Sequence, residues 1–332
     1  MAARPTRILH SKPETDCLVA MADQLAYAEQ EAARFEAAHE NLLPVDVLTR
    51  EEYDTQIRAG AISRIPNVRP GPAGTKHMVI PDTQQKPGAD NSFMYWLGLY
   101  AAEKMPDRII HLGDHWDMPS LSLWDTGKAA AENRRYWYDI HAGNAAMDLF
   151  EEGLATNEHY GKGWCPTKDF LIGNHEYRIQ RWLESSPAMQ GVVGYHHFNL
   201  VEHGWDVHDF LFPIWKDGVK YSHFHPRGPS GKITQTKNGA PNARLQVMRE
   251  GASCTAGHQQ GLDVYVSHIG PVARRGIIAG SCYTHEESYL IRAEGNSHWR
   301  GFLMKHEVHL GNYSLMEVSL DYLRRKYGGE RP

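Results

Sequence analysis

The sequence predicts an α/β fold with a β-rich carboxyl-terminal half and a helical appendage at the amino terminus. Three observations predict it. Between residues 76 and 184, short β-rich runs alternate with helical stretches. From about Val264 to Leu320 the pattern is mostly β. Before residue 65, apolar residues recur at helical spacing, and a Pro/Gly-rich stretch separates them from the rest.

The appendage comes first, over residues 1–65. Leu18, Met21, Leu25, Ala28, Ala32, Phe35, His39 and Leu42 step by threes and fours, which predicts a helix over 18–42 that Pro44 ends. Thr49 followed by Glu52 is a capping-box pair for a second, short helix that stops near Gly60. From Asp23 to Arg58, nine acids and three arginines make the segment net −6. The stripe reads first as a packing helix, since it spans barely three heptads and carries alanine at key positions. Pairing of two copies through it is the alternative. IPNVRPGPAG (65–74) marks the linker, taken as residues 66–75.

The main domain, 76–332, opens with KHMVIPD (76–82) as a strand and residues 91–105 as a helix. DRIIHLGD (107–114) is the second strand, 128–157 a long helical stretch, KDFLIGN (168–174) the third strand and HEYRIQRWLE (175–184) the next helix. GVKYSHF (218–224) and SCTAGH (253–258) are strand-like. A hairpin is expected around Leu310-Gly311-Asn312. His196, His197, His203 and His208 fall in a loop-like stretch and match no motif.

The chain has 332 residues, enough for a large core, and a net charge of −5, which argues against a generally basic nucleic-acid coat protein. Cys17, Cys165, Cys254 and Cys282 form no CxxC pair, which points away from a zinc ribbon or disulfide scaffold and towards a reducing compartment. No apolar run approaches the ~18 residues of a membrane span, and the basic start lacks a secretory apolar stretch. The expectation is a cytoplasmic protein without membrane partners. Twenty histidines are the unusual feature, because imidazole is both a metal ligand and a proton shuttle.

Each candidate strand ends on polar residues of one chemical kind. The first ends at Asp82, with Gln84 two on, and the second at Gly113-Asp114, with Asp117 three on. The third ends in Gly173-Asn174-His175-Glu176, the fourth near His223 and His225, and the fifth at Gly257-His258, with Gln260 two on. Carboxyl ends of strands are the usual place for α/β active sites. A two-metal site needs a carboxylate able to bridge both ions, for which Asp114 is suited. It also needs a neutral oxygen ligand that preserves positive charge for a phosphate, which Asn174 can be.

The ordered string PDTQ, GDHWD, GNHE, SHFH, GHQQ resembles the calcineurin-like metallophosphoesterases, whose pattern is DxH, GDxxD, GNH(D/E), a lone His, then GHxH. The resemblance covers residues 82–260. It implies a four-layer α-β-β-α metallophosphoesterase sandwich with two divalent metal ions at its edge, Mn²⁺ foremost, with Mg²⁺, Zn²⁺ or Fe²⁺ as alternatives. It also implies that metal-bound hydroxide attacks the phosphate, His175 protonates the leaving oxygen, and Asp117 orients His175 and raises its pKa.

The chain departs from the family twice, since Gln84 and Gln260 replace histidines that serve one metal. That ion is expected to see Asp82, Gln84, Asp114 and Gln260, an all-oxygen set. The other is expected to see Asp114, Asn174, His223 and His258. Oxygen ligands favour Mg²⁺ or Mn²⁺ over Zn²⁺, so the two sites should differ in affinity. Decay of the first site is the competing reading. His223 is preferred over His225 as the ligand, which leaves His225 to touch substrate or cap its loop. His115 and Arg178 are candidate phosphate contacts, with Arg181 on the same helix face as Arg178.

Residues 216–250 carry a net +5 charge between two of the motifs, and the polar stretch 228–244 reads as a loop over a phosphate-rich substrate or a solvated surface loop. Arg134-Arg135-Tyr136-Trp137-Tyr138 places arginines beside rings able to stack on bases. The chain looks most like the family branch with DNA repair nucleases and phage-encoded phosphoesterases, hence in a host's cytoplasm if phage-encoded. It lacks the GDxHG and Arg-Gly signatures of the serine/threonine protein phosphatases. The expected function is therefore phosphodiester hydrolysis on nucleic acid. The alternatives are a phosphomonoesterase or small cyclic-nucleotide phosphodiesterase, and a non-catalytic nucleic-acid-binding or assembly protein that keeps the fold.

Overall fold

The computed structural model describes residues 74–123, 127–227, 232–233, 241–268, 273–287 and 297–329. The appendage, the linker up to residue 73 and most of the 228–244 loop lie outside the described residues. Expectations about pairing through the first helix and about the loop's role fall there too.

Two mixed sheets form the scaffold. The first contains β1 (Thr75–Ile80), β2 (Arg108–His111), β3 (Thr167–Leu171), β4 (Asp206–His208), β12 (Gly301–His309) and β13 (Asn312–Ser319). Its order is β13-β12-β1-β2-β3-β4, with β1 to β4 mutually parallel and β12 and β13 antiparallel beside β1. The second contains β5 (Ile214–Lys216), β6 (Val219–Ser222), β9 (Ser253–Ala256), β10 (Leu262–Ser267) and β11 (Arg274–Ala279), in the order β10-β11-β9-β6-β5. A two-stranded ribbon joins β7 (Pro226–Arg227) to β8 (Lys232–Ile233).

Strand alternation decides which face goes where. In β1, Met78 and Ile80 pack against helices, while Val79 joins Ile110, Leu112 and Leu171 against Tyr221, Val219 and Ile277 of the second sheet. The helices α1 (Ser92–Lys104) and α2 (Tyr136–Ala155) cover the first sheet. They cross closely at Gly98 and Gly153, where a Cβ on Gly98 would come 2.8 Å from the Gly153 Cα. The short α3 (Arg178–Ser185) contributes Ile179 and Leu183 to the same core. The helix α4 (Ala243–Glu250) lies on β9, β10 and β11. The protein is thus an α/β sandwich with two sheets face to face and helices on the outer faces.

Several boundaries differ from the sequence reading. The long helix begins at Tyr136, after a 3-10 turn at Ala129–Ala131, because Asn133 takes a left-handed backbone (φ 62°) that interrupts it. The third helix begins at Arg178, and the residues before it form a tight turn. The stretch read as loop contains β4, an exposed edge strand too short and too polar to show alternation; its His208 bonds buried Asp169 at 2.8 Å. A closing helix, α5 (Leu320–Tyr327), follows the last strand. Ser319 caps it by accepting the Tyr322 N–H at 3.2 Å, and Arg324, Arg325 and Lys326 sit in its last turn, where the helix dipole favours cations. The predicted hairpin is present, with Leu310 (φ 47°) and Gly311 (φ 79°) both left-handed between His309 and Asn312.

Among the described residues no helix is long and apolar enough to cross a membrane. The three described cysteines are free thiols.

Candidate metal centre

The carboxyl ends of β1, β2, β3, β6 and β9 meet at one edge of the sandwich, and hydrogen bonds tie them together. Thr83 and Gln84 donate their N–H groups to the Asp114 carbonyl at 3.2 and 2.9 Å. His258 donates its N–H to Asp82 Oδ1 at 2.8 Å, and His175 its N–H to Asp114 Oδ1 at 2.9 Å. Gly257 N–H reaches the His223 carbonyl at 2.9 Å. A Cβ on Gly257 would lie 2.6 Å from Asp82 Oδ1, so only glycine lets this turn pack on the carboxylate.

Asp114, His223 and His258 each bring a ligand atom, all within 4.8 Å of one another, as a metal ion requires. His223 Nδ1 donates to the Leu112 carbonyl at 2.7 Å. A carbonyl can only accept, so the tautomer is fixed and Nε2 is the ligand atom. Asn174 Oδ1 lies 2.9 Å from that Nε2 and Asp114 Oδ2 3.4 Å. These four are the expected mixed nitrogen and oxygen set.

Burial opposes the Asp114 charge, but the imidazoles of His175 and His223 prevail and hold its carboxyl well below the usual range. Burial likewise opposes a proton on His223, but Asp114 beside it raises the imidazole to about 9. A cation bound here competes with that proton. His258 is lowered to about 4 by burial and by His223, so its ring is neutral and ready to ligate.

The all-oxygen set is less complete. Asp82 and Gln84 are buried, and neither Asp82 Oδ2 nor Gln84 Oε1 has a hydrogen-bond partner among the described residues. Buried orphan acceptors suit a hard cation. Burial, then the Asp114 charge, pushes Asp82 up to about 7. Gln260 differs from Asp82 and Gln84 in that its Oε1 already accepts from the Tyr283 hydroxyl, at 2.8 Å.

Beside the centre, His175 Nδ1 lies 2.6 Å from Asp117 Oδ1, so the expected acid pair is formed. Burial opposes the His175 charge, but Asp114 and Asp117 raise its pKa. Asp117 itself falls to about 2: burial works against its charge, while its bond to His175 and the charges of Lys86 and Arg178 prevail. Arg178 donates to the Asp117 and Met118 carbonyls at 2.7 and 3.2 Å, and its Nη2 stands 3.4 Å from His175 Nε2. Backbone carbonyls thus hold Arg178 beside the His175 ring. Arg181 is exposed on the same helix.

Two expected substrate contacts are corrected. His115 is fully buried, with Nδ1 bonded to Thr83 Oγ1 at 2.7 Å and Nε2 to the Gly143 carbonyl at 2.9 Å. Both ring nitrogens are spent inside the fold, so it cannot reach a phosphate. His225 is also buried, and its Nδ1 lies 3.9 Å from Glu250 Oε2 on α4, on the far side of the second sheet. Of the two histidines in SHFH, His223 is the one at the centre.

Glu176 is the residue whose role the motif alone did not reveal. Its buried carboxylate accepts four backbone N–H groups: Gly173 at 2.9 Å, Asp114 at 3.0 Å, His115 at 2.6 Å and Trp116 at 2.9 Å. It clamps the turn that carries Asp114 to the turn that carries Asn174. Its position in GNHE was the only signal in the sequence. The backbone adds a second hidden feature: Gln84 (φ 41°), Asp114 (φ 53°) and His258 (φ 63°) are all left-handed without being glycine. Such strain costs of order 1–3 kcal/mol per residue and concentrates at functional sites.

No family model matches the chain, and no curated protein matches it.

Proposed function

We propose that the protein is a metal-dependent phosphoesterase that hydrolyses phosphodiesters, with nucleic acid as substrate, on the four-layer fold of the calcineurin-like metallophosphoesterases. One observation carries this reading. An Asp/Asn/His/His ligand set and a His–Asp pair share one sheet edge, with Asp114 bonded to the backbone of His175.

Asp114, Asn174, His223 and His258 would hold one divalent ion, and Asp82 and Gln84, with Asp114 between, a second. When bound, such ions lower the pKa of water and neutralise charge on phosphate oxygens. The chain's own residues supply the rest. Asp117 accepts from His175 Nδ1, which fixes the ring and directs Nε2 into the cleft. The carboxylates of Asp114 and Asp117 raise its pKa, which favours a proton on that imidazole for delivery to the leaving oxygen. Arg178 places a guanidinium beside Nε2, where it can hold a phosphate oxygen while the proton moves.

The test is a hydrolysis screen of metal-stripped protein given Mn²⁺, Mg²⁺, Zn²⁺ or Ca²⁺. The substrates are bis-p-nitrophenyl phosphate, p-nitrophenyl phosphate, and single- and double-stranded DNA and RNA. Manganese-dependent cleavage of the diester and of one polymer is expected. Monoester cleavage alone makes the protein a phosphatase. Silence in every metal, with nucleic acid still bound, makes it a binding protein.

A further inference from the structure

A cleft of about 410 Å³ is lined by Tyr177, Phe210, Tyr195, Gln180, Gln190 and Asp209, none of them a residue of the metal centre. Its position follows from two ring contacts. Phe210 lies 6.2 Å, centroid to centroid, from the His223 ring. It also stacks on Tyr177, at 4.6 Å and 19° between planes. Tyr177 is two residues from His175, and its N–H bonds the Gly173 carbonyl at 3.0 Å, in the turn that carries Asn174. The cleft therefore starts one ring away from a ligand imidazole.

The lining differs in kind from the centre. Asp209 and Glu184 bring carboxylates, Gln180 and Gln190 bring amides, and no described lining residue is cationic. Two carboxylates repel a phosphate, which the cations at the centre and Arg178 attract. The cleft suits an uncharged, flat group that stacks on rings and offers N–H donors to carboxylates. The segment bearing Tyr195 then runs on to His197, whose ring lies 4.5 Å from that of Trp137; Trp137 is 50% exposed. A second, partly exposed ring surface thus lies next along the chain from Tyr195.

We infer that this cleft is a nucleobase subsite for the nucleotide flanking the scissile phosphate, selective for a base whose pairing edge carries N–H donors, guanine foremost. The inference rests on the proposed phosphodiesterase reading and names its substrate class. The cleft has the volume of a small-ligand site. Guanine presents N1–H and N2–H₂ to the carboxylates. Thymine and uracil present carbonyl oxygens on both sides of one N–H, which the same carboxylates disfavour. Reading an unstacked base by its pairing edge while it stacks on a ring is an established mode of recognition.

The experiment is calorimetric titration of the full chain with guanosine and with thymidine, alongside manganese-dependent cleavage of bis-p-nitrophenyl phosphate, which carries no base. Guanosine is expected to bind about tenfold tighter than thymidine, with Phe210→Ala weakening guanosine by about tenfold as a stacking ring is lost. Asp209→Asn is the second variant, because Asp209 is exposed and its change leaves the core intact. It should shrink the guanosine-to-thymidine ratio several-fold. Cleavage of the baseless diester with no guanosine binding, or with equal binding of both nucleosides in wild type and Asp209→Asn, overturns the subsite and leaves the phosphodiesterase reading standing. Selective guanosine binding without cleavage in any metal supports the subsite and overturns the reaction.

Discussion

His175 Nδ1 and Asp117 Oδ1 are 2.6 Å apart, and that bond decides which nitrogen of the imidazole faces the cleft. On the proposed reading His175 is the acid, so His175→Ala should lower turnover of a nucleotide diester by about 10²–10⁴-fold. Asp117→Asn keeps the ring but loosens its aim, and should cost roughly 10–100-fold. Both losses should shrink with a p-nitrophenyl diester, because nitrophenolate departs without a proton. Steady-state kinetics on the two substrates test this, with manganese binding followed by calorimetry. Full turnover of the nucleotide diester by His175→Ala would remove the acid assignment.

Glu176 supports a different prediction, on stability and metal affinity together. Each of its oxygens accepts two backbone N–H groups. Burial, then the Asp114 charge, pushes its carboxyl up to about 7, so at pH 8 Glu176→Gln replaces one oxygen by an NH₂ that faces two donors and removes the charge that strengthens the other two bonds. Hydrogen bonds to a charged group contribute about 1.5–3 kcal/mol each. Breaking a buried network of this kind costs about 3–5 kcal/mol. Urea denaturation should show a loss in that range, and manganese affinity should fall as the Asp114 and Asn174 turns separate. A loss below about 1 kcal/mol would mean that the clamp is incidental.

Ligand types and their order were legible in the sequence because each motif is local: strand, tight turn, polar residue. That was enough for Asp114, Asn174, His223 and His258, which the fold brings to one place. Glu176 was not legible in this way, because its partners are backbone groups some sixty residues away that carry no side-chain signature. His115 misled for the converse reason. Asp114 and Asp117 of GDHWD face the centre, but the left-handed backbone at Asp114 turns the next side chain inward, onto Thr83 and Gly143. The short edge strand β4 lacked alternation because its first two residues are exposed.

The two ligand sets predict unequal metal affinity. One set is anchored by a histidine of fixed tautomer, while the other ends at Gln84 and at a Gln260 already bonded to Tyr283. Manganese titration followed by calorimetry should resolve one tight and one weak step, separated by at least about tenfold. His223→Ala should abolish the tight step. Gln84→His with Gln260→His should shift the weak site's preference towards Zn²⁺, since imidazole suits Zn²⁺ and carbonyl oxygen suits Mn²⁺. Two steps of equal affinity in the wild type would defeat the asymmetry.

The last prediction concerns the opposite end of the sandwich, where Asp217 joins the sheets. It lies in the turn between β5 and β6, yet accepts from Thr75 Oγ1 at 2.7 Å, His77 Nε2 at 2.8 Å and Arg108 Nε at 2.6 Å, all from the first sheet. Burial opposes its charge, but those bonds prevail and hold its carboxyl well below the usual carboxylate range. An unfolded aspartate titrates near 3.9. Between the depressed folded value and the unfolded one, the native chain binds fewer protons, so stability rises with pH there. The contribution of Asp217 is complete above about pH 5 and is lost as pH falls through the folded pKa. Asp217→Asn should cost about 2–3 kcal/mol at pH 6. The gap between wild type and variant should narrow as urea titrations move from pH 6 to pH 3. Carboxylates elsewhere titrate equally in both proteins, so the narrowing reports Asp217 together with His77, the imidazole bonded to it. A gap that stays constant across that range would show that Asp217 holds the sheets by shape, without its charge.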